Sequence, residues 1–338
     1  MENFQNKIKL PINEFRTFGG PILDVRSPSE FQKGHIPGAI NLALFDDKER
    51  AQIGSIYKGT GKEAAIELGF QYVYPKLRDL LKKGSKLSND GRIRIHCARG
   101  GLRSRSLAAK FDEEKIETAV LDGGYKAYRN WALTEVSKPR EIIVLTGLTG
   151  AGKTEILRRF AKQGEQVLDL EGLANHRGSV FGAIGMQPQP TSQQFQNMIA
   201  EELSKFKPNQ RIWIEAESAQ IGNCWVPESL IKQIRKAPAV EVTRPINERI
   251  EYLIETYSCE GTSELIEAVS RLYKQLGGKR TNEVLEDLKR GNLRKATEKI
   301  LEYYDRAYQK HRRRQGKCVA TLNHKADIGK FLKNQTTK

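Results

Sequence analysis

The stretch EIIVLTGLTGAGKT, residues 141–154, decides the fold class of the second half of the chain. Its apolar first part has the length of a buried β-strand, and the following GLTGAGKT (147–154) satisfies the pattern GxxxxGK(S/T). The next residues, TEILRRFAK, have helical spacing. Strand, glycine-rich loop and helix in this order are the context that a phosphate-binding loop requires, so the stretch predicts such a loop in an α/β domain.

Five residues of this loop have predicted tasks. The backbone N–H groups of Gly147, Gly150 and Gly152 are expected to surround a diphosphate. Lys153 is expected to contact the terminal phosphate, and the Thr154 hydroxyl to bind Mg²⁺. A glycine-rich turn that arose by chance is the alternative, but it would not explain the strand and the helix on either side.

Two acidic residues are candidates for a second contact to the metal ion. Glu215 ends the apolar run RIWIE (211–215) and is the first choice, while Asp169, near the end of QVLDL (166–170), is the second. Carboxylate oxygens are the ligands that Mg²⁺ prefers. Either residue could instead be an ordinary carboxylate at the end of a strand.

The stretch EGLANHRGSVFG (171–182) places polar residues among glycines soon after a predicted strand. Loops in this position of α/β proteins bind ligands, which makes His176 and Arg177 candidate site residues. His176 could act as a catalytic base, or it could be an ordinary hydrogen-bonded loop histidine.

A second motif, HCARGGLRS (96–104), follows another predicted strand. It fits HCxxGxxRS, in which a loop and a helix N-terminus direct N–H groups at a cysteine sulfur. Such a field, with Arg99, Arg103 or Arg105, should lower the pKa of Cys97 and favour a reactive thiolate. A buried structural cysteine is the alternative. The loop residues expected to form the anion site are Ala98, Arg99, Gly100, Gly101 and Leu102.

The pattern of apolar runs predicts two domains, 1–136 and 137–338, joined near the polar stretch TEVSKPRE (134–141). Short strands alternate with helical stretches in both, which indicates parallel α/β sheets. From about Ser263 the chain is expected to be helical and charged. The predicted strands are 21–25, 92–97 and 118–122 in the first domain and 166–170, 211–215 and 239–243 in the second, besides the one before the glycine-rich loop.

The flanks of the cysteine motif resemble those of the rhodanese family, over roughly residues 8–134. The framing segments are DVRSPSEFQKGHIPGAIN (24–41) and LDGGYKAYRNW (121–131). The resemblance implies a rhodanese-like fold and a cysteine that carries sulfur as a persulfide. Five residues separate Cys97 from Arg103, where sulfur-carrying rhodaneses usually have four. The longer loop is compatible with three functions: a phosphatase, an arsenate reductase and a selenium carrier.

The order of the two domains, a rhodanese-like domain followed by a P-loop NTPase-like α/β domain, reduces the number of families that the chain could belong to. With CARGGLRSRS, LDGGYKAYR, GLTGAGKT, LEGLANHRGSVFG and WIEAES in this order, nearly the whole chain resembles the tRNA 2-selenouridine synthase family. The resemblance implies that 2-thiouridine at the tRNA wobble position becomes 2-selenouridine, with selenophosphate as selenium donor and a geranyl group as transient activator.

The resemblance also assigns tasks to the two loops. Geranyl diphosphate would occupy the phosphate-binding loop, with Lys153 and Mg²⁺ stabilising the departing pyrophosphate. Cys97 would carry selenium as a perselenide, held by the loop amides and Arg103. An apolar slot for the geranyl chain could be formed by Phe181, Ile184, Met186, Trp213 and Trp225, although each of these also suits a hydrophobic core.

The charge of the chain favours a polyanionic partner. The net charge is +16, and between Arg271 and Lys317 there are 15 Lys/Arg against 6 Asp/Glu, with tyrosines among them and the run HRRRQGK at 311–317. Basic side chains release counterions from phosphates and aromatic rings stack on unpaired bases, so we expect contact with tRNA. A basic, solvent-exposed helical face is the alternative.

Other features of the sequence bear on where the protein is located and on whether it has a zinc site or disulfide bonds. The apolar runs are shorter than a membrane span and the start MENFQNK is unlike a signal peptide, so we expect a cytoplasmic protein, by default a monomer. The four cysteines form no CxxC pair, which argues against a zinc site and a disulfide framework.

Three rival functions remain open on sequence grounds. One is a phosphatase or arsenate reductase with a rhodanese fold and a regulatory nucleotide site. The second is an ATP-dependent tRNA sulfurtransferase or RNA kinase, and the third is an RNA-binding module without catalysis.

Overall fold

The computed structural model describes residues 9–88, 90–179, 181–258, 261–312 and 316–335. The chain divides into two compact units, Met1–Glu135 and Val136–Lys338. Helix α7, Gly124–Ser137, runs across this division. The polar segment 134–141, expected to be a linker, therefore begins inside a helix and is non-helical only after Ser137.

The first unit is built on a five-stranded parallel sheet in the order β1-β5-β4-β2-β3. Its strands are β1 Lys9–Leu10, β2 Ile22–Asp24, β3 Ile40–Asn41, β4 Arg92–His96 and β5 Glu117–Leu121. Its other helices are α1 Ile12–Thr17, α2 Pro28–Lys33, α3 Asp47–Gly59, α4 Lys62–Val73, α5 Leu77–Leu87 and α6 Leu102–Glu113, with a 3₁₀ turn at Tyr74–Lys76.

The central strands of this sheet are buried on both faces, as parallel strands covered by helices must be. Leu23, Ile93, Ile95 and Val120 are fully buried and share a core with Phe111 of α6. Because β4 lies in the middle of the sheet, the loop after it emerges at the carboxyl edge, where α/β proteins bind ligands.

The second unit has its own five-stranded parallel sheet, in the order β12-β11-β6-β8-β7, and a small antiparallel pair. The sheet strands are β6 Ile142–Thr146, β7 Gln166–Leu168, β8 Ile212–Glu215, β11 Ala239–Thr243 and β12 Cys318–Asn323, and the pair is β9 Gln220–Ile221 with β10 Cys224–Trp225. β6, which leads into the glycine-rich loop, is central.

Helices cover this sheet and extend into a helical part near the carboxyl end of the chain. They are α8 Lys153–Lys162, α9 Leu170–Ala174, α10 Ser192–Lys205, α11 Glu228–Lys236, α12 Ile246–Ser258, α13 Thr262–Arg271, α14 Tyr273–Leu276, α15 Gly278–Lys289, α16 Leu293–Arg312 and α17 Ile328–Gln335. One core packs around Phe160 and Trp213 at the sheet, and a second packs around Val269 and Val284 among α13, α15 and α16.

The predicted fold class is confirmed: both units are parallel α/β, and the seven predicted strands correspond to observed ones. The sequence did not predict the end of the chain. After α16 it returns to the sheet as β12, which pairs with β11 along its length, so the region beyond Ser263 is not helical throughout. Buried and exposed residues hardly alternate in CVATLN, because this strand lies at the edge of the sheet and is mostly exposed. Its sequence therefore lacks the alternating hydrophobic pattern by which a strand is recognised.

Among the described residues, no helix has both the length and the apolar composition to cross a membrane. Cys97, Cys224 and Cys318 are free thiols, and Cys259 lies outside the described part of the chain.

Candidate functional site

Cys97 directly follows β4 and lines a cleft to which α3 and α4 also contribute. Its side chain is almost fully buried. The Gly101 backbone N–H and the Ser104 hydroxyl each donate to Sγ at 3.3 Å. These two donors are placed by the turn into α6, whose first residue is Leu102. We call residues 97–103 the cysteine loop.

The pKa of Cys97 is lowered despite burial, which acts in the opposite direction. The opposing contributions come from the Ser104 hydroxyl, the Arg103 guanidinium and the backbone N–H groups of Arg99 and Gly101. All four favour the thiolate over the thiol. The sequence predicted the amides and the arginine, but it did not single out Ser104, although the motif HCxxGxxRS ends on it.

The shape of the cysteine loop depends on the LDGG segment. Gly124 has a φ of +58°, and a methyl group there would lie 2.4 Å from the carbonyl oxygen of Cys97. The next two residues fix the loop, because Tyr125 N–H donates to the Cys97 carbonyl at 2.9 Å and Lys126 N–H to that of Ala98 at 3.0 Å. This framing segment therefore supports the loop backbone.

The DVR segment supports the loop from the other side. Arg26 is buried and donates from Nε to both carboxylate oxygens of Asp24 at 3.0 Å, and its guanidinium lies 3.8 Å from the ring centre of Tyr125. His96 Nε2 is 3.6 Å from Asp24 Oδ2. Burial opposes ionisation of Asp24, but His96 and Arg26 keep its pKa below the usual range. Both framing segments thus meet beside Cys97.

The arginines of the loop differ in their surroundings. Arg103 Nη1 is 3.3 Å from Glu30 Oε2 on α2, so the guanidinium is oriented by an acidic partner. Arg99 is exposed, and Arg105 is half-buried with an Nε that has no partner among the described residues. Arg99, Arg103 and Arg105 all line the cleft, together with Cys97. The cleft can accept an anion at the sulfur.

The phosphate-binding loop, residues 147–154 and called the phosphate loop below, joins β6 to α8. Its three predicted glycines, Gly147, Gly150 and Gly152, all have positive φ. A methyl group on Gly147 would lie 2.5 Å from the carbonyl oxygen of Val242, which shows how closely β11 approaches. Glycine is therefore required here both by conformation and by space.

Lys153 and Thr154 begin α8 and turn toward β8. Lys153 Nζ donates to the Gly147 carbonyl at 3.1 Å and lies 3.3 Å from Glu215 Oε1. The Thr154 hydroxyl donates to Glu215 Oε2 at 3.1 Å. The structure thus brings the first-choice acidic residue into contact with both polar side chains of the phosphate loop.

Two further acids accompany Glu215 that sequence reasoning missed. Oxygen atoms of Glu171, Glu215 and Glu217 lie within 4.8 Å of one another. Burial, together with the nearby charge of Glu215, raises the pKa of Glu171 to about 8 and also raises that of Glu217. Burial lowers the pKa of Lys153, but the three carboxylates outweigh it and raise the pKa. Nothing in the segment LEGLAN predicted that the carboxylate of Glu171 would lie close to Glu215 at the end of β8.

These residues suit a divalent cation. Three carboxylates and the Thr154 hydroxyl offer the hard oxygen ligands that Mg²⁺ takes, and a cation would offset the burial and the charge of Glu215 that raise the pKa of Glu171. Lys153 Nζ lies 3.3 Å from Glu215 Oε1, beside these oxygens, where its positive charge can bind an anion.

The phosphate loop is also tied to the helical part of the unit. Arg249 of α12 is buried, donates from Nε to the Thr149 carbonyl at 2.8 Å, and pairs with Asp305 of α16 at 2.6 and 2.9 Å. Tyr308 Oη is 2.7 Å from Thr146 Oγ1 at the end of β6. The helices beyond α11 therefore hold the loop in place, a role that the basic composition of α16 did not reveal.

The remaining predicted site residues have other surroundings. Asp169 accepts from Gly172 N–H at 2.8 Å and caps α9. His176 is buried against Gly182, and burial lowers its pKa. The guanidinium of Arg177 lies 5.5 Å from the ring centre of Tyr257 on α12. Within the described part of the chain, none of these three residues forms a hydrogen bond or an ion pair with the phosphate loop.

The five residues suggested for an apolar slot do not come together in one place: Phe181 lines a small apolar cavity among the helices, and Met186 is half-buried. Trp213 is fully buried on β8 between Phe160 and Phe331, in the core at the sheet. Phe181 and Ile184 belong to the separate core of the helical part, and Trp225 is exposed. The sequence could not separate these cores because apolar residues look alike before the chain is folded.

The basic helices are partly neutralised by neighbouring acids. Ion pairs join Arg271 to Glu267 at 2.6 Å, Arg280 to Glu302 at 3.0 Å and Lys299 to Asp287 at 2.7 Å. The described surface also carries exposed Lys274 and Lys279 near the exposed ring of Tyr273. Residues 313–315 of the HRRRQGK run, and the side chains of 311 and 312, lie outside the described part.

Comparison with known proteins gives matches over both units. A family model described as the tRNA 2-selenouridine synthase AAA domain matches residues 140–338, and a rhodanese-like domain model matches residues 6–130. A tRNA 2-selenouridine synthase from Sulfurovum sp. (strain NBC37-1) is 33% identical, over 93% of this chain and 94% of its own. One from Nitrosomonas europaea is 32% identical, over 79% of this chain and 80% of its own.

A solved structure is similar to part of the chain. The N-terminal domain of a protein from Clostridium difficile 630, named as an ATP/GTP binding protein, is 40% identical with a TM-score of 0.36. The match covers 37% of this chain and 98% of that one.

Proposed function

Because this chain belongs to the tRNA 2-selenouridine synthase family, enzymes of tRNA modification, we propose that it converts wobble 2-thiouridine to 2-selenouridine in two steps. In the first, the thiocarbonyl sulfur attacks C1 of geranyl diphosphate, the C1–O bond breaks, and pyrophosphate leaves. In the second, selenium supplied by selenophosphate and carried on Cys97 replaces the geranyl thiol at C2 of the base.

The first step is assigned to the phosphate loop. Alkylation turns a poor leaving group into a thioether on an electron-poor carbon, and the negative charge that develops on pyrophosphate must be stabilised. Lys153 and the loop N–H groups support this task, since Lys153 is kept charged by Glu215. Mg²⁺, held by Thr154 and the neighbouring carboxylates, would supply further positive charge at the leaving group.

The second step is assigned to the cysteine loop. The observation that carries it is the lowered pKa of a sulfur that receives hydrogen bonds from Gly101 N–H and Ser104 Oγ. The thiolate exchanges with a small-molecule disulfide to form a mixed disulfide at Sγ. Hydrolysis of selenophosphate gives phosphate and selenide, and the selenide attacks Sγ and displaces the small thiol, so that Cys97 carries a perselenide stabilised by the same donors. Arg103, oriented by Glu30, supports the charge. Once the perselenide selenium has displaced the geranyl thiolate at C2, the small thiol attacks Sγ and breaks its bond to selenium, which frees the product and restores the mixed disulfide.

The test uses thiolated tRNA, geranyl diphosphate and selenophosphate, with mass spectrometry of the nucleosides. The unchanged protein should give both the geranylated intermediate and 2-selenouridine. Cys97→Ser should accumulate the geranylated nucleoside, whereas Lys153→Ala should form neither. Cys224→Ser is the matched control, because burial raises the pKa of that thiol. Formation of 2-selenouridine by Cys97→Ser would overturn the proposal.

Two features of the cysteine loop favour a second function, a phosphatase with a rhodanese fold. Five residues separate Cys97 from Arg103, and the hydroxyl of Ser104 donates to the sulfur, which suits attack on a tetrahedral phosphate. This function requires release of phosphate from an aryl phosphate, dependent on Cys97 and independent of tRNA. Phosphate release without selenium on the protein would favour it over selenium transfer.

A further inference from the structure

A buried arginine lies beside the phosphate loop and has no task in either of the two proposed steps. Arg244 is the first residue after β11, which is the neighbour of β6 in the sheet. Only 8% of its side chain is exposed. The guanidinium lies over the ring of Tyr252 on α12, 4.3 Å from the ring centre, so its plane is held by packing.

The guanidinium of Arg244 occupies the space beside Gly152 that a side chain would otherwise fill. A methyl group on Gly152 would lie 2.8 Å from Arg244 Nη2. Gly152 is the N-cap residue of α8 and directly precedes Lys153. The backbone N–H groups of this turn are those expected to hold a diphosphate. Arg244 Nη2 is therefore within reach of the oxygens of a diphosphate bound there.

The position of this arginine is electrostatically unfavourable unless an anion is close. The N-terminus of a helix carries about half a positive charge. Lys153, a second cation, begins the same helix. Among the described ion pairs, the partner of Arg244 is Glu155, whose Oε2 is 3.3 Å from Nη2 and whose side chain is 50% exposed. A half-exposed partner offsets little of this positive charge, so the place suits a ligand with more than one negative charge.

Arg244 also has hydrogen-bond donors to spare. Its Nε is buried and has no partner among the described residues. A guanidinium carries five N–H donors in a planar fork, which matches two oxygens of a phosphate. A buried donor without a partner costs free energy, and a phosphate oxygen would remove that cost.

We propose that Arg244 binds the diphosphate held by the phosphate loop, and that Glu155 and Tyr252 hold its guanidinium ready before the ligand arrives. This rests on the proposed function, in which the loop holds a diphosphate, and adds a residue that stabilises the leaving group. On binding, a diphosphate oxygen replaces the Glu155 carboxylate as the partner of Nη2, while the Tyr252 ring keeps the fork oriented. Lys153 and Arg244 then both meet the charge that develops on pyrophosphate.

The test measures binding of inorganic pyrophosphate to the full chain by titration calorimetry at a fixed Mg²⁺ concentration. Arg244→Met keeps apolar contact with Tyr252 but removes the charge and the fork. It should weaken binding roughly tenfold to hundredfold, as expected for the loss of a charge-assisted hydrogen bond. Arg244→Lys keeps the charge without the fork and should weaken binding about threefold to tenfold. Arg158→Met, which removes an exposed charge from the same helix, is the matched control and should change binding by less than about twofold.

Glu155→Gln separates a ligand-binding arginine from one that only ties the loop to the helix. If Glu155 and the diphosphate compete for Arg244, this variant should tighten pyrophosphate binding at least about threefold, and it should do so much less in an Arg244→Met background. A purely structural tie predicts a lower melting temperature for both single variants without tighter binding by Glu155→Gln. That result would overturn the proposal.

Failure of this assignment and failure of the proposed function can be told apart. If the unchanged protein neither binds pyrophosphate nor transfers a prenyl group, the proposed function itself is wrong. If it does both, and a folded Arg244→Met binds pyrophosphate as tightly as the unchanged protein, the assignment of Arg244 is overturned while the proposed function stands. If Arg244→Met fails to fold, unchanged binding by Arg244→Lys overturns the assignment in the same way.

Discussion

At Cys97, burial and hydrogen bonding act on one sulfur in opposite directions. Burial disfavours the thiolate, whereas Ser104, Arg103 and two backbone amides favour it and together lower the pKa. The sequence predicted this direction from the motif alone, because a loop at a helix N-terminus presents N–H groups. The contribution of Ser104 depends on a side-chain orientation that only the folded loop defines.

We predict that alkylation of Cys97 by iodoacetamide has its pH midpoint below that of an ordinary thiol, about 8.5. Iodoacetamide reacts with the thiolate, and a lowered pKa means that Cys97 forms its thiolate at a lower pH than a free cysteine does. Ser104→Ala removes one donor to the charged form, so the midpoint should move upward and the rate at pH 7 should fall roughly tenfold. Mass spectrometry of the labelled protein over a pH series measures both quantities.

Cys224 provides the comparison within the same chain, since burial raises the pKa of its thiol. In a Cys97→Ser background it should react slowly at pH 7. A midpoint for Cys97 at or above that of free cysteine would contradict the account of the cysteine loop.

At the scale of elements, the start of α7 determines how closely the chain can approach the cysteine loop. Gly124→Ala should destabilise the protein by about 2–4 kcal/mol, because alanine is strained at positive φ and its methyl group would overlap the Cys97 carbonyl. Gly38→Ala is the matched control, with a φ of +81° but no atom within 4 Å of the added methyl group. Urea unfolding of both variants separates strain from overlap, and equal losses would argue against close packing at Gly124.

The link between α12, α16 and the phosphate loop is a second feature of this scale. Arg249→Met would leave Asp305 without its buried partner and release Thr149, and it should lower the free energy of unfolding by about 3 kcal/mol. It should also weaken inhibition by pyrophosphate. Arg290→Met, which breaks an exposed pair with Glu286, should change stability by less than about 0.5 kcal/mol. Thermal and urea unfolding check both, and similar losses would contradict the anchoring role.

At the scale of the whole molecule, a net charge of +16 predicts binding to tRNA that depends on salt. Affinity should fall roughly tenfold or more between 50 and 200 mM salt, because each phosphate contact releases counterions. If the helical part contacts the RNA, Lys274→Gln with Lys279→Gln should weaken binding more than Lys82→Gln with Lys83→Gln, which removes the same charge from exposed positions on α5. Equal losses in filter binding would indicate attraction by net charge alone.

The local order of residues determined the class of the molecule. A strand, a glycine-rich loop and a helix follow one another around GLTGAGKT and around HCARGGLRS, so the geometry of each loop is fixed by neighbours along the chain and both motifs could be recognised from the sequence. The framing segments could be recognised but not explained, because the contact of Arg26 with Tyr125 joins residues that are distant in sequence.

Only the tertiary structure decided which distant residues meet. It brought Glu171 and Glu217 to Glu215, placed Arg249 and Asp305 behind the phosphate loop, and returned the chain to the sheet as β12. It also placed Trp213 in the core at the sheet and Phe181 in the core of the helical part. The reason is physical: burial and Coulomb interaction depend on distance in space, and charged or apolar residues far apart in the chain carry no local signal of their partners.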